Sequence, residues 1–296
     1  MEVSYTKLSL YQKCPLAYRF NYVDKVPKLP VPAMHNGIIA HKLLEMLGKT
    51  GGNWDAAQRA TIIKYHDYGK TIEIANELKS WFTVREFINA KEFEYPVLFD
   101  YNGFTFKGFI DRLDYDNNVF EIVDYKYGNF EHTHNEIEES LQSHIYAFAI
   151  MQKFNVDKVQ FLYHNLKQQT KYRRTIRMSE LRMPYIESLA QSLVESLEDK
   201  DVGFPAKPST DCMWCQFTHI CEPYKLWIKS NYSLEVVSSH SGVVQITMLR
   251  VIIFFGRCYC SLADDPARVP ESHGWLPDYA RIFHLRLCME RSFFDP

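Results

Sequence analysis

Apolar positions in the first 226 residues follow two periods. Ile38, Ile39, Leu43, Leu44, Met46 and Leu47 recur at helical spacing and predict a helix over 36–48, after the proline-rich connector KVPKLPVPA. Before it, Thr6 is placed to cap a helix to Cys14, and Cys14-Pro15 restarts one to about Tyr22. Further helix is expected over 55–66 and 71–90. The period then falls to two, predicting strands over 92–99, 104–114 and 119–127, the last two joined by the turn-forming run 114–118. A helix over 136–154, strands over 158–164 and 170–178, and a helix over 180–198 follow. This order predicts a mixed α/β core.

Composition narrows the class. The chain has 296 residues, 46% hydrophobic and 24% charged, with net charge −2. That is a folded protein, and any nucleic-acid contact must use a local basic patch or metal ions rather than a bulk positive field. The start, MEVSYTKLSLYQK, has no apolar leader core, and the apolar run 243–255 is broken by Gln245 and Arg250 and is shorter than the ~20 residues of a membrane span. We therefore expect a cytoplasmic protein with no membrane partner, whose seven cysteines are reduced. Twenty Lys and 8 Arg precede Ser230, against 6 Arg and no Lys after Lys229. The expected division is a domain over 1–226 and a tail over 227–296 of separate origin or weak order.

Four groups carry candidate chemistry. Asp124 and Lys126 are two apart in an apolar strand and so share a face, and the preceding hairpin strand can bring Asp111 beside them. Paired carboxylates attract a divalent cation, and an adjacent lysine can orient water or offset phosphoryl charge, the arrangement for metal-assisted phosphodiester hydrolysis. Asp-x-Lys alone is more often a surface ion pair, but charges in strands as apolar as these need a partner or a metal. His41 is an imidazole on the 36–48 helix with Glu45 one turn on. Gln142 and Tyr146, at i and i+4, share a helix face. Cys212, Cys215 and Cys221 have metal-ligand spacing, with Cys14 the upstream thiol left by elimination; four thiolates suit zinc and iron–sulfur clusters alike.

In order along the chain, SLYQKCPLAYRF, GIIAHKLLE, GFIDRLD, IVDYKYG, LQSHIYA and CMWCQFTHIC resemble the PD-(D/E)XK nucleases, in particular the RecB-like exonucleases that include the CRISPR-adaptation nucleases and the AddB nuclease domain. The resemblance covers about residues 4–226. It implies a restriction-endonuclease-like core, a mixed central sheet flanked by helices with a helical N-terminal region. It implies Mg²⁺ or Mn²⁺ held by Asp111, Asp124, His41 and the Tyr125 carbonyl. Lys126 would then act on the attacking water, with Gln142 and Tyr146 positioning substrate. It also implies a 4Fe–4S cluster on Cys14, Cys212, Cys215 and Cys221 that clamps the two ends of the domain, with structural zinc the alternative.

The activity so implied is exonucleolytic cleavage of single-stranded DNA in repair, recombination or phage and CRISPR DNA processing. Lys171, Arg173, Arg174 and Arg177 are the candidate groove, and Arg19 among Tyr18, Phe20 and Tyr22 a stacking platform. Both GKT tripeptides lack the upstream glycine of a P-loop, so a motor would have to be a helicase partner. The competing readings are a helicase-gated subunit and a non-catalytic DNA-binding scaffold; the intact Asp111, Asp124 and Lys126 set speaks against the scaffold.

Overall fold

A computed structural model describes residues 1–129, 133–199, 202–231, 234–238 and 244–248. The chain divides into two compact units, Met1–Lys225 and Leu226–Pro296.

The first unit is built on a six-stranded mixed sheet in the order β1-β3-β4-β5-β6, with β2 paired to β3. The strands are β1 (Glu2–Val3), β2 (Ala90–Tyr101), β3 (Phe104–Asp116), β4 (Val119–Lys126), β5 (Lys158–Asn165) and β6 (Thr170–Arg177). β2, β3 and β4 form the expected antiparallel meander. Its second turn places Asn117 and Asn118 at φ 48° and 63°, the left-handed pair a tight hairpin requires. β4 then runs parallel to β5, which demands a crossover. That crossover is α6 (His134–Glu139) and α7 (Leu141–Phe154), where one helix over 136–154 was expected. Ser140 divides them: its backbone is extended and its hydroxyl accepts from the Ser143 amide, capping α7.

Helices cover both faces. α1 (Tyr5–Lys13), capped by Ser4 rather than Thr6, packs with α7 and α8 (Met183–Glu198) on one face. There Leu8, Ile145, Ile150, Ile186 and Leu193 bury Phe106, Ile110, Ile122 and Phe161. On the other face α3 (Pro32–Lys49), α4 (Trp54–Tyr65) and α5 (Tyr68–Lys79) bury Val123, Tyr125 and Leu162 under Ile39, Leu43, Leu47, Ile74 and Leu78. The α3 end approaches β2 so closely that a Cβ on Gly48 would lie 2.0 Å from the Phe93 ring. α5 stops at Lys79, short of the expected 90, because the chain turns to bury Phe82 before β2 begins. α2 (Pro15–Tyr18) leads into a π-helical turn at Arg19–Val23. The Cys212–Cys215 segment lies in and just after a 3₁₀ turn at Thr210–Trp214.

α9 (Glu222–Asn231) crosses the unit boundary. In the second unit β7 (Leu234–Ser238) and β8 (Val244–Met248) form an antiparallel hairpin, although the tail carries no regular strand pattern that predicts it. The apolar run 251–255 and the tail cysteines lie outside the described residues.

Candidate active site

The β3–β4 ladder pairs Asp116 with Val119 through Arg112 with Val123. Beyond that pair a side chain takes over: the Tyr125 amide donates to Asp111 Oδ2 at 2.8 Å. Asp111 is thereby held beside β4, where Asp124 and Lys126 emerge on the face covered by α7. Lys126 Nζ lies 2.6 Å from Asp124 Oδ2. Gln142 on α7 bridges the pair, its amide nitrogen donating to Asp124 Oδ1 at 2.5 Å while its oxygen accepts from Lys126 Nζ at 3.2 Å. Those two bonds fix which way the Gln142 amide points. His41 enters from α3, with Nδ1 3.3 Å from Asp111 Oδ1.

Tyr146 lies one turn beyond Gln142, and a Cβ on Gly108 would be 3.0 Å from its hydroxyl. The glycine of GFIDRLD is thus what lets that phenol rest on β3. Tyr125 sends its ring to the opposite face, where its hydroxyl accepts from Arg112 at 2.9 Å. Glu45 pairs with Lys42 and Lys49, each at 2.8 Å. Two residues went unforeseen. The Tyr163 ring faces Lys126, with Nζ 5.1 Å from its centroid; the period-two pattern of β5 marks it as buried but does not say against what. Glu94 on β2 stands beside Asp111 with φ 52°, for which a glutamate gives no sequence signal.

The electrostatics are those of a carboxylate pair under pressure. Burial pushes Asp124 up and Lys126 opposes it, while the Asp111 charge adds to the rise. Burial also acts to raise Asp111, but the His41 charge and hydrogen bond and the Tyr125 amide outweigh it, so its pKa falls. His41 rises: burial disfavours its cation, yet Asp111 more than compensates. Burial disfavours charge on Lys126 too, and Asp124 overrides it, so the ammonium is held firmly protonated.

Among the described residues no three His, Cys, Asp or Glu side chains converge tightly enough to hold a metal as they stand. Lys126 is the cation that neutralises Asp124 here. The donor set nonetheless fits a divalent cation. Asp124, whose ionisation the Asp111 charge makes more costly, Asp111 itself and an imidazole already drawn to it are oxygen and nitrogen ligands suited to Mg²⁺ or Mn²⁺.

The four cysteines occupy one neighbourhood. All are free and half-buried. Burial raises the Cys215 thiol, and Cys212, Cys14 and Cys221 raise it further. The two ends of the domain meet here through Phe20 against Phe217, ring centroids 5.7 Å apart, and through Gln216 Nε2 donating to the Leu29 carbonyl at 3.1 Å.

The expected basic groove is not free. Lys171 pairs with Glu86 at 2.6 Å, Arg174 with Glu138 at 2.9 Å, Arg177 with Glu180 at 3.3 Å, and Arg173 with Glu121. Nor is the Arg19 segment an open platform. Arg19 pairs with Asp24, and Tyr18 is buried against Tyr11 and Phe204.

A mixed sheet flanked by helices, with Asp and Asp-x-Lys meeting where two strands part, defines a nuclease-type site. The family model of the PD-(D/E)XK nuclease superfamily matches residues 2–222, and the chain belongs to that superfamily. No curated protein matches at a significant level. Among solved structures, SSO0001 is 16% identical over 75% of this chain and 86% of its own, TM-score 0.41. A protein from Eubacterium rectale described as a candidate exonuclease is 12% identical over 81% and 93%, TM-score 0.46. An alkaline exonuclease from Laribacter hongkongensis is 11% identical over 68% and 89%, TM-score 0.31. Similarities this low carry no inference about activity.

Proposed function

We propose that the chain is a Mg²⁺- or Mn²⁺-dependent exonuclease acting on single-stranded DNA. The convergence of Asp111, Asp124, Lys126 and His41 where β3 and β4 part supports this most. Asp111, Asp124, His41 and the Tyr125 carbonyl would hold the cation. When bound, it supplies Lewis acidity at the phosphate and lowers the pKa of water.

The chain's own groups do the rest. Lys126, held protonated, is a donor and not a base; it orients the attacking water or a non-bridging phosphoryl oxygen. Gln142 keeps Asp124 and Lys126 in register. Tyr146 is raised chiefly by burial and so remains a neutral phenol, a second donor toward phosphate. As water oxygen bonds to phosphorus and releases a proton to solvent, the P–O bond opposite breaks and the leaving oxygen takes a proton from solvent, while these donors offset the charge that accumulates.

The preference for a single strand is supported by exposed apolar residues near the site residues in sequence. Phe109, two residues before Asp111, is 60% exposed, and Ile38, one turn before His41, is 48% exposed. Exposed apolar side chains this close in sequence to Asp111 and His41 offer surfaces on which unpaired bases can stack. Phe109→Ala is expected to raise KM for single-stranded DNA about tenfold, the effect of one lost stacking contact, with no change on a small aryl phosphodiester. An unaltered KM would take Phe109 out of the strand's path.

The direct test uses end-labelled single strands and duplexes with Mg²⁺, Mn²⁺ or EDTA. Metal-dependent shortening of the single strand is expected. No cleavage, or cleavage that survives chelation, overturns the reading.

Cys14, Cys212, Cys215 and Cys221 are proposed to hold a 4Fe–4S cluster, closing a loop of about 200 residues. Anaerobically purified protein should be brown, and Cys215→Ser should bleach it and lower its melting temperature. Colourless protein with one bound zinc would replace the cluster with a four-thiolate zinc site.

A further inference from the structure

Glu94 is the one residue inside a described strand with a positive φ, 52°. The remaining positive-φ residues lie outside strands, several of them asparagines and glycines suited to that backbone. A glutamate in mid-strand has no such excuse, and an uncommon backbone angle that persists is held by what surrounds it.

The β2–β3 register shows what the kink does. Tyr95 pairs with Ile110, and both side chains lie in the core under α7. Phe93 pairs with Arg112, and both lie on the opposite face. There Phe93 meets Gly48 and Phe87, and Arg112 sits over the Phe87 and Tyr125 rings. In a regular ribbon, pairs two residues apart face the same side. Here they face opposite sides, so the ribbon turns over within one step, and the residues at that step are Glu94 and Asp111.

A side chain standing upright on a sheet cannot reach the in-plane amide of the neighbouring strand. Asp111 does reach it, accepting from the Tyr125 amide at 2.8 Å, while its other oxygen lies 3.3 Å from His41. The turnover lays Asp111 into the gap between β3 and β4.

We propose that Glu94 is a positioning residue: its left-handed backbone, not its carboxylate, turns the β2–β3 ribbon over and sets Asp111 between His41 and β4. This deepens the nuclease reading above and rests on it only for the consequence to catalysis.

The test is a series at position 94 in the full chain: Glu94→Gly, Glu94→Asn, Glu94→Gln, Glu94→Ala and Glu94→Val. Three readouts are taken: Mn²⁺ affinity by calorimetry, the NMR signal of the His41 imidazole without metal, and kcat against KM on single-stranded DNA. Gly and Asn adopt positive φ readily, and valine resists it most. Gly, Asn, Gln and Ala variants should keep the His41 signal and bind Mn²⁺ within about twofold of wild type; valine should shift the signal and lose at least tenfold in affinity, with kcat falling more than KM changes. If the valine variant does not fold, the glycine, glutamine and alanine variants still decide between backbone and carboxylate.

Losses of affinity and His41 signal in Gly and Gln as large as in Val would assign the role to the carboxylate and overturn the proposal. So would a folded valine variant indistinguishable from wild type. If wild type neither binds Mn²⁺ nor cuts DNA, the nuclease reading fails, while the His41 signal still tests the kink.

Discussion

Asp124→Asn is expected to lower DNA cleavage by roughly a thousandfold or more while leaving the fold in place. Removing a single preorganised donor from an active site already costs about 10²–10³ in rate. Asp124 is only 4% exposed and holds two partners at once, Gln142 Nε2 on Oδ1 and Lys126 Nζ near Oδ2. Asparagine keeps the shape but must aim an NH₂ at one of two groups that are themselves donors. Gln142 can turn its amide only by presenting its own NH₂ to the Lys126 ammonium. Each rearrangement leaves one donor facing another, and the cation ligand proposed at this position is lost as well. The fold should survive, because Asp124 belongs to the site and not to either apolar core. Its burial already makes the ionised form costly, so losing the charge offsets part of the broken contacts. Single-turnover rates, Mn²⁺ titration and a melting curve check this. A variant within tenfold of wild type would remove Asp124 from the chemistry.

Much of this site is legible from the chain because its signals are local. The two-residue spacing of Asp124 and Lys126 fixes a common face, and the turn at Asn117 and Asn118 fixes the hairpin that returns Asp111 to them. The four-residue spacing of Gln142 and Tyr146 holds once Ser140 starts a new helix in register with both. What was not legible depends on distant partners. The cations of β6 read as a groove because the pattern shows one strand only; Glu86, Glu121 and Glu138, which meet Lys171, Arg173 and Arg174, lie 36 to 85 residues away. Tyr18 reads as a stacking surface until Phe204 covers it. Glu94 is the sharpest case, since nothing in its residue type favours positive φ, and only the face change between two registered pairs exposes its effect.

The second large effect is on stability in acid, and it comes from a histidine outside the site. His164 on β5 is 0% exposed. It is enclosed by aromatic rings: Phe82 stacked at 5.8 Å, Trp81 at 5.7 Å and Tyr125 at 5.8 Å between centroids. Neither ring nitrogen has a hydrogen-bond partner among the described residues. Burial first, then the nearby Lys171 and Arg112 charges, depress its pKa to about 3. An unfolded chain returns the imidazole to about 6.5. Between those values the unfolded state binds a proton that the folded state refuses, so stability rises with pH across this window. The contribution is fully present above about pH 6.5 and is lost as pH falls toward 3, with a total on the order of 5 kcal/mol. His164→Phe replaces the ring with one that the same aromatic cage accepts and that does not titrate. At pH 7.5 the variant should melt close to wild type. At pH 4.5 it should be the more stable by about 2–3 kcal/mol. Other groups titrate in this range in both proteins, so the quantity to read is the variant-minus-wild-type difference at each pH, from urea unfolding. A difference that stays constant from pH 7.5 to 4.5 would show that His164 is protonated in the fold, with a partner that its aromatic surroundings do not supply.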